Sequence, residues 1–315
     1  MSEQSISRDQ IAEAVAALRR GECIGLPTET VYGLAADARN PAAVRRVFAL
    51  KGRPADHPLI VHLPSPQYLS EFARDIPDAA WRLAAAYWPG PLTMVLKRAQ
   101  HVLLEVTGGQ DTIALRIPAH PLALAVLSAF AGGLAAPSAN RFGRISPTRA
   151  AHVRSEFAEE VPIVLDGGDC AVGIESTIVD LSHGVARILR PGMLTAERLG
   201  LSAAADPSDK QAPRVPGALE KHYAPRTPLY LCSRDGLSAK LEDVQVLAIG
   251  ELPAGVSGIA LPRDPQRYAR GFYAALRELD ARGAHALQAE LPPNESAWEA
   301  ITDRLQRAAA GSSAV

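Results

Sequence analysis

The sequence predicts an α/β protein in which a mixed, twisted sheet with flanking helices is linked to a second, smaller α/β domain. The length of 315 residues is enough for about two domains. Over the first 200 residues, short apolar or β-branched runs alternate with helical patterns. A segment rich in proline, alanine and charge then precedes a second α/β pattern. We assign residues 1–201 to the first domain, 202–227 to a linker and 228–315 to a small C-terminal domain.

The elements of the first domain follow from local signals. An amphipathic helix is predicted from Ile6 to Arg20, and a buried strand begins at Cys23. Asn40 and Pro41 supply an N-cap and a first-turn proline for the next helix. Further strands are expected at 59–63, 92–96, 112–117, 133–137, 163–166, 176–181 and 186–189, with helices near 77–87, 121–130 and 148–156. Because the last three strands are separated only by short turns, a mixed sheet is favoured over a purely parallel one.

The second domain shows the same kind of pattern after the linker. Strands are expected at 229–233, 244–250 and 258–262. Helices are expected around 268–281 and 296–309. These elements predict a small α/β domain.

Composition and charge limit the classes of function. The 33 Lys and Arg residues nearly balance the 34 Asp and Glu residues, so a polyanion would have to be bound by a local cluster rather than by bulk charge. Cys23, Cys170 and Cys232 lie far apart, which argues against a disulfide framework and a zinc-thiolate site. The N-terminus is polar, and the longest apolar stretch, 122–137, is too short to span a bilayer. We therefore expect a soluble, cytoplasmic protein with no membrane partner.

Polar clusters follow several of the predicted strands and helices. PTETVYGL, residues 27–34, places hydroxyls at a sheet edge, where open α/β sheets bind ligands; a turn with self-satisfied threonines is the alternative. Lys51 and Arg53 follow a helix, where they either interact with the helix dipole or clamp phosphate oxygens. Walker, G-x-G-x-x-G, H-E-x-x-H and G-x-S-x-G motifs are missing from the sequence. A bound nucleotide would therefore have to be held by clusters of this kind.

Three further clusters carry charge or hydroxyls. Arg116 shares a strand face with Thr112 and Ala114, which is either solvent-exposed or the floor of a carboxylate pocket. The loop 136–148 and the helix start that follows it contain four arginines, between residues 141 and 154, and no acid before Glu156, which suits an anion cradle or a solvated loop. Ser176 opens one strand and Arg190 closes the next, so hairpin pairing would bring them into one site.

Together these motifs resemble those of the threonylcarbamoyl-AMP synthases, the YrdC-like family, in their longer form. In chain order between Cys23 and Gly192, they are PTETVYGL, KGRPADHPL, WPGPLT, ALRIP, APSAN, ISPT, ESTIVD and ILRPG. HYAP at 222–225, followed by a small α/β domain, is similar to the longer members with a C-terminal extension. The resemblance implies a YrdC-like fold for the first domain and a Rossmann-like arrangement for the second.

The resemblance also implies a reaction. An L-threonylcarbamoyladenylate synthase, a nucleotidyltransferase, would convert L-threonine, bicarbonate and ATP into threonylcarbamoyl-AMP and pyrophosphate. Downstream transferase proteins would then move the threonylcarbamoyl group onto adenosine 37 of tRNAs that read ANN codons, so tRNA would be an indirect partner. Magnesium is expected on the phosphates of ATP, although no acidic cluster in the sequence identifies its ligands.

Residue roles follow from the resemblance position by position. Lys51 and Arg53 would be the catalytic residues, and together with Arg190 they would hold the triphosphate. The other residues implied at ATP are His57, Thr112, Ser138, Ser146 and Tyr223. The residues implied at L-threonine are Thr30, His62, Arg116, Ala136 and Ser176. Tyr223 would fold over the nucleotide, making residues 213–226 a lid.

Two other functions remain open from the residues alone. A non-catalytic RNA-binding module would read phosphates with Arg141, Arg144, Arg149 and Arg154, and its affinity would depend steeply on salt. An enzyme that transfers a carbamoyl group from carbamoyl phosphate uses a related domain in hydrogenase maturation. That architecture brings zinc-finger cysteines, which this sequence does not contain.

Overall fold

The computed structural model describes residues 7–201, 212–237 and 243–310. Residues 202–211 of the predicted linker, and Ile6 at the start of the predicted first helix, lie outside the described residues. The described chain contains two sheets, one of nine strands and one of four. The expected mixed α/β architecture, with a second, smaller α/β unit, is therefore confirmed.

The first sheet mixes parallel and antiparallel pairs. Its strands are β1 (Ile24–Leu26), β2 (Gly33–Asp37), β3 (Ile60–His62), β4 (Ala73–Arg74), β5 (Leu92–Arg98), β6 (Thr112–Arg116), β7 (Leu134–Ala135), β8 (Thr177–Asp180) and β9 (Arg187–Arg190). Their order is β1-β2-β7-β3-β6-β5-β8-β9, and β4 pairs with β5. The pairs β3/β6 and β5/β8 are parallel and the others are antiparallel.

Eight α-helices flank this sheet in the described part of the chain, and the end of the second one positions Lys51 and Arg53. The helices are α1 (Arg8–Arg19), α2 (Pro41–Lys51), α3 (Leu69–Phe72), α4 (Asp78–Tyr87), α5 (Leu104–Thr107), α6 (Pro121–Phe130), α7 (Ala150–Phe157) and α8 (Ala196–Leu199). As predicted, the Asn40 side chain caps α2 by accepting from two backbone N–H groups at 3.0 and 3.3 Å. The helix ends at Lys51 because Gly52 turns the backbone into the left-handed region, with φ +61°.

The second sheet is entirely parallel. It contains β10 (Leu229–Cys232), β11 (Val244–Ile249), β12 (Gly258–Leu261) and β13 (Ala286–Glu290), in the order β10-β13-β11-β12. Two helices pack on it, α9 (Pro265–Ala281) and α10 (Glu299–Ala309).

Four strand assignments differ from the sequence prediction. Residues 163–166 form only a single bridge between Gly25 and Val164, since Pro162 lacks an N–H on one side and Gly167 turns the chain on the other. The strands β2, β4 and β13 are not among the predicted ones. β4 is only two residues long, and β2 and β13 are rich in residues with low strand propensity, so pairing with neighbouring strands forms all three.

The two sheets share a hydrophobic cluster around the second half of the linker. We call residues 212–226 the strap. Tyr223 of the strap packs in one cluster with Val31 and Ile145 of the first domain and with Phe272 and Tyr273 of α9. Ala224 of the strap also donates its N–H to Gly143 O at 2.8 Å. Within the described ranges, no helix combines the length and the apolar character needed to cross a membrane.

Candidate active site

A central cavity lies where the strap crosses the first sheet. It collects side chains from the ends of β3, β6 and β9, from the loops after β1, α2 and β7, and from the segment before β8. The lining residues from the first domain are Thr28, Thr30, Val31, Gly33, Arg53, Ile60, His62, Arg116, Ala136, Pro137, Ser138, Glu175, Ser176 and Arg190. The strap contributes Pro216, Gly217, His222 and Tyr223.

Arg116 forms one wall and is held by an acidic partner. Its Nη2 lies 2.6 Å from Glu29 Oε1, its Nη1 donates to Thr30 Oγ1 at 2.8 Å, and its Nε donates to Gly90 O at 3.1 Å. Glu29 is fixed in turn by the backbone N–H of Ala119 at 2.9 Å. The arginine in the predicted strand face is thus buried with an anion beside it, not exposed to solvent. Its guanidinium has five N–H groups, and these bonds leave two of them for a ligand.

His62 lines the same cavity, and its imidazole ring is uncharged, so it can accept or donate a hydrogen bond. It is buried, and neither ring nitrogen has a hydrogen-bond partner. Burial, reinforced by the nearby Arg116, holds its pKa well below the ordinary value of 6.5. A neutral imidazole with two unsatisfied nitrogens at a cavity wall is suited to bonding a polar ligand.

Arg53 supplies a second buried cation. Its Nη2 donates to Pro58 O at 2.9 Å, and its guanidinium carbon lies 5.6 Å from the centre of the Phe142 ring. Its Nε is buried without a partner. Burial lowers the pKa of Arg53 to about 10, with Tyr223 acting in the opposite direction and Arg190 in the same one. Burial of this cation therefore costs free energy, and its Nε–H group is available to hydrogen-bond a ligand.

Arg190 supplies a third cation, and the β8–β9 pairing places it where hairpin geometry predicts. Its Nε and Nη2 both donate to Ser176 O, at 3.1 and 2.9 Å, and Nη2 also lies 3.1 Å from Ser176 Oγ. Its Nη1 donates to Pro216 O of the strap at 2.9 Å. Arg190 therefore connects the floor of the cavity to its cover.

The strap fills most of the cavity. Tyr223 is fully buried, and its hydroxyl has no hydrogen-bond partner. Gly217, with φ +79°, lies so close that a Cβ there would be 2.0 Å from this hydroxyl. The remaining cavity is about 50 Å³, whereas ligand pockets typically measure roughly 300–1,000 Å³. The structure is thus a closed arrangement, and a ligand of nucleotide size would not fit in the remaining space.

The structure brings many, but not all, of the proposed site residues to the cavity. Those that line it are Thr30, Arg53, His62, Arg116, Ala136, Ser138, Ser176, Arg190 and Tyr223. Lys51, His57, Thr112 and Ser146 are not among the lining residues.

Two of these four residues, Lys51 and Ser146, hydrogen-bond to residues that line the cavity. Lys51 lies behind its floor, where Nζ donates to the carbonyls of Ser138 at 2.5 Å and Asn140 at 2.6 Å. Burial, followed by the charge of Arg53, holds the pKa of Lys51 well below its ordinary value. Ser146 donates to Glu175 Oε1 at 2.6 Å.

The other two residues lie further out. His57 is partly exposed and meets the Phe142 ring edge-on at 5.3 Å between ring centres. Thr112 begins β6 opposite Lys97. The roles of all four at ATP remain predictions.

Sequence reasoning missed three polar residues around the cavity. Glu29, Glu175 and His222 lie within the motifs PTETVYGL, ESTIVD and HYAP but were given no role. The sequence offered one indication of a role: each of these residues lies in a motif with another residue that was assigned to a ligand. Their buried partners come from distant parts of the chain and are not visible in the sequence.

The four arginines between residues 141 and 154 lie elsewhere. Arg141, Arg144, Arg149 and Arg154 do not line the central cavity. Arg141 pairs with Glu160, Arg149 lies 3.0 Å from Asp169, and Arg154 lies 3.6 Å from Asp166. Three of these four arginines are therefore paired with carboxylates from later in the chain, which neutralise most of their positive charge.

Comparisons with known proteins identify the family. A family model for Sua5, YciO and YrdC proteins, described as "Telomere recombination", matches residues 16–192. A second model, "Threonylcarbamoyl-AMP synthase, C-terminal domain", matches residues 183–310.

Relatives match almost the whole chain. The threonylcarbamoyl-AMP synthase of Pyrococcus abyssi is 36% identical over 97% of this chain and 95% of its own length. That of Bacillus subtilis is 37% identical over 98% and 95%. The crystal structure of P. abyssi Sua5 complexed with L-threonine superposes with a TM-score of 0.88, at 36% identity, over 95% of this chain and 94% of that one. The chain therefore belongs to the threonylcarbamoyl-AMP synthase family, in the longer form that carries the C-terminal domain.

Proposed function

We propose that this protein is an L-threonylcarbamoyladenylate synthase, a nucleotidyltransferase that forms threonylcarbamoyl-AMP and pyrophosphate from L-threonine, bicarbonate and ATP. The observation that carries the proposal is the set of three buried guanidinium groups, Arg53, Arg116 and Arg190, around one cavity. In the described part of the chain, Arg53 and Arg190 bond only carbonyl and hydroxyl oxygens. Buried cations that hydrogen-bond no carboxylate are suited to a polyanion such as a triphosphate.

The amino acid would bind at the Arg116 end. The two remaining N–H groups of Arg116 would pair with the carboxylate, and the hydroxyl groups of Thr30 and Ser176 lie on the same cavity. His62, held neutral, would accept a hydrogen bond from the threonine amine. The crystal structure of the P. abyssi relative with L-threonine supports threonine as the amino acid.

The reaction needs no protein nucleophile. The free amine of threonine attacks bicarbonate to give a carbamate and water. A carbamate oxygen then attacks the α-phosphorus of ATP, and the bond to the β,γ-pyrophosphate breaks, so pyrophosphate leaves with the electron pair. Arg53 and Arg190 would stabilise the charge that develops on the leaving group. Catalysis is then positioning and charge neutralisation, and the strap would close over the labile carbamate.

Magnesium is expected with ATP, and the carboxylates at the cavity decide whether the protein itself could hold the ion. Mg²⁺ in nucleotide sites is held by phosphates, water and one or two carboxylates. The lining carboxylate Glu175 is already engaged by Ser146, Tyr273 and Arg304. The described residues contain no group of three or more His, Cys, Asp or Glu side chains that could hold a metal. These residues do not fit a protein-held magnesium, so we assign the ion to the phosphates alone.

Downstream, we propose that the product is used by separate transferases for adenosine 37 of tRNA. Mixed anhydrides of this kind hydrolyse readily, so a consuming enzyme has to take the product directly or quickly. tRNA is then an indirect partner of this chain.

The test is pyrophosphate release from ATP with and without each of the other substrates. We expect release only when both L-threonine and bicarbonate are present, and lower release with serine or valine in place of threonine. Release that is independent of threonine would contradict the proposal. RNA affinity that falls steeply with salt, with no ATP consumption, would instead favour the RNA-binding alternative.

A further inference from the structure

The second domain places one arginine behind the central cavity. Arg304 of α10 has a fully buried side chain. Its Nη1 donates to Pro191 O at 2.6 Å and lies 2.9 Å from Asp303 Oδ2. Its guanidinium carbon lies 5.5 Å from the centre of the Tyr223 ring. Such a buried cation persists only with well-placed partners.

The main partner of Arg304 in the first domain is Glu175. Arg304 Nε lies 3.2 Å from Glu175 Oε2, and Tyr273 OH donates to the same oxygen at 2.9 Å. Ser146 donates to Oε1 at 2.6 Å. Glu175 is therefore held from α9, from α10 and from the loop before α7, while it also lines the cavity.

Glu175 presents an electrostatic problem for a site that binds a triphosphate. Its carboxylate lines the same cavity as Arg190, and Arg190 interacts electrostatically with both Glu175 and Arg304. Burial would raise the pKa of Glu175, but Arg304, Arg190 and the Ser146 hydroxyl more than offset burial, so its pKa stays below the ordinary value. The group is thus ionised at neutral pH. Its negative charge has to be balanced by a cation, which is either Arg304 of the second domain or Arg190 of the cavity.

We propose that Arg304 is a positioning residue for the nucleotide end of the site: it neutralises Glu175 from the second domain and so leaves Arg190 available to the triphosphate. This inference rests on the proposed function. Without Arg304, Glu175 competes with ATP for Arg190 and repels the phosphates. The second domain thereby contributes to ATP binding through a residue that does not touch ATP.

The experiment measures KM for ATP and for L-threonine, and the affinity for a non-hydrolysable ATP analogue by titration calorimetry. The variants are Arg304→Met, Arg304→Lys, Glu175→Gln and Arg304→Met/Glu175→Gln. Arg234→Met is the matched control, because Arg234 also pairs with a partly buried glutamate of the second domain, Glu290 at 3.0 Å, away from the cavity.

We expect Arg304→Met to raise KM for ATP and weaken analogue binding by about tenfold or more, because it leaves a buried charge unpaired. KM for threonine should change by less than about twofold, and the control should behave as wild type. The neutral double variant should recover most of the ATP affinity, and Arg304→Lys should be intermediate. A purely structural role would affect KM for ATP and for threonine alike, so the difference between the two substrates is the readout that separates the two roles.

An unchanged KM for ATP in Arg304→Met, equal effects on both substrates, or failure of rescue in the double variant would each overturn the inference. If Arg304→Met does not fold, the double variant is compared with Glu175→Gln. Once Glu175 is neutral, loss of Arg304 should change KM for ATP by less than about twofold, and a tenfold change would overturn the inference. A wild-type protein that makes no threonylcarbamoyl-AMP refutes the proposed function itself, which separates the two failures.

Discussion

Replacing Arg53 by Met should separate folding stability from activity. The burial that lowers the pKa of Arg53 to about 10 means that the folded protein holds this charge against a free-energy cost. At about 1.4 kcal/mol for each pH unit, that cost is about 3 kcal/mol. The sign follows from linkage: the folded-state pKa is lowered, so the cost is present at every pH below about 10 and therefore at neutral pH.

The substitution also removes favourable contacts. The bond to Pro58 O is made by a charged donor and the contact with the Phe142 ring is desolvated, so each is worth about 2 kcal/mol. The burial cost and the lost contacts nearly cancel, so the free energy of unfolding of Arg53→Met should stay within about 1 kcal/mol of that of the wild type. Pyrophosphate release should nevertheless fall by about 100-fold or more, because charge stabilisation of the leaving group is lost.

Urea denaturation and a coupled pyrophosphate assay measure the two effects. Arg45→Met is the control, since Arg45 lies on the exposed side of α2, the helix that precedes Arg53, 3.7 Å from Glu105, and should change neither quantity appreciably. Arg53→Met with normal pyrophosphate release would refute the role of Arg53. A loss of several kcal/mol in stability would show instead that the buried cation supports the fold.

Three further predictions concern other parts of the cavity. Glu29→Gln should lower the free energy of unfolding in urea by about 3 kcal/mol and raise KM for threonine, because it leaves Arg116 without its buried counter-charge; an unchanged stability would contradict this. Gly217→Ala should displace the strap, since a Cβ would meet the Tyr223 hydroxyl, and should appear as faster limited proteolysis and lower turnover, with equal proteolysis arguing against it. The buried His62 resists protonation while the unfolded chain takes up protons near pH 6.5, so stability should fall as pH drops below that value; His62→Gln should reduce this slope, and an identical slope would exclude the contribution.

Local signals in the sequence were sufficient for the parts of the site that lie on one element or one hairpin. Asn40 capped the predicted helix and so placed Arg53 at its end. The β8–β9 pairing brought Arg190 to Ser176 as hairpin geometry requires. Such features depend on residues close in the chain, and their physics is readable without a structure.

Features that depend on distant partners could not be predicted. The four arginines between residues 141 and 154 suggested an anion cradle because their segment has no acid, yet Arg149 pairs with Asp169 beyond it. Arg304 lies in an ordinary amphipathic helix, and only the packing of the two sheets reveals its contact with Glu175. In β13, pairing on both sides determines the strand although its residues favour helix.

The most direct measurement is mass spectrometry of the product formed from ATP, L-threonine and ¹³C-labelled bicarbonate. The cavity is proposed to hold an amino acid and a nucleoside triphosphate side by side, joined through one carbon from bicarbonate. We expect a nucleotide product that contains threonine, AMP and a single labelled carbon. A product without the label, or an adenylate formed directly on the threonine carboxylate, would contradict this account.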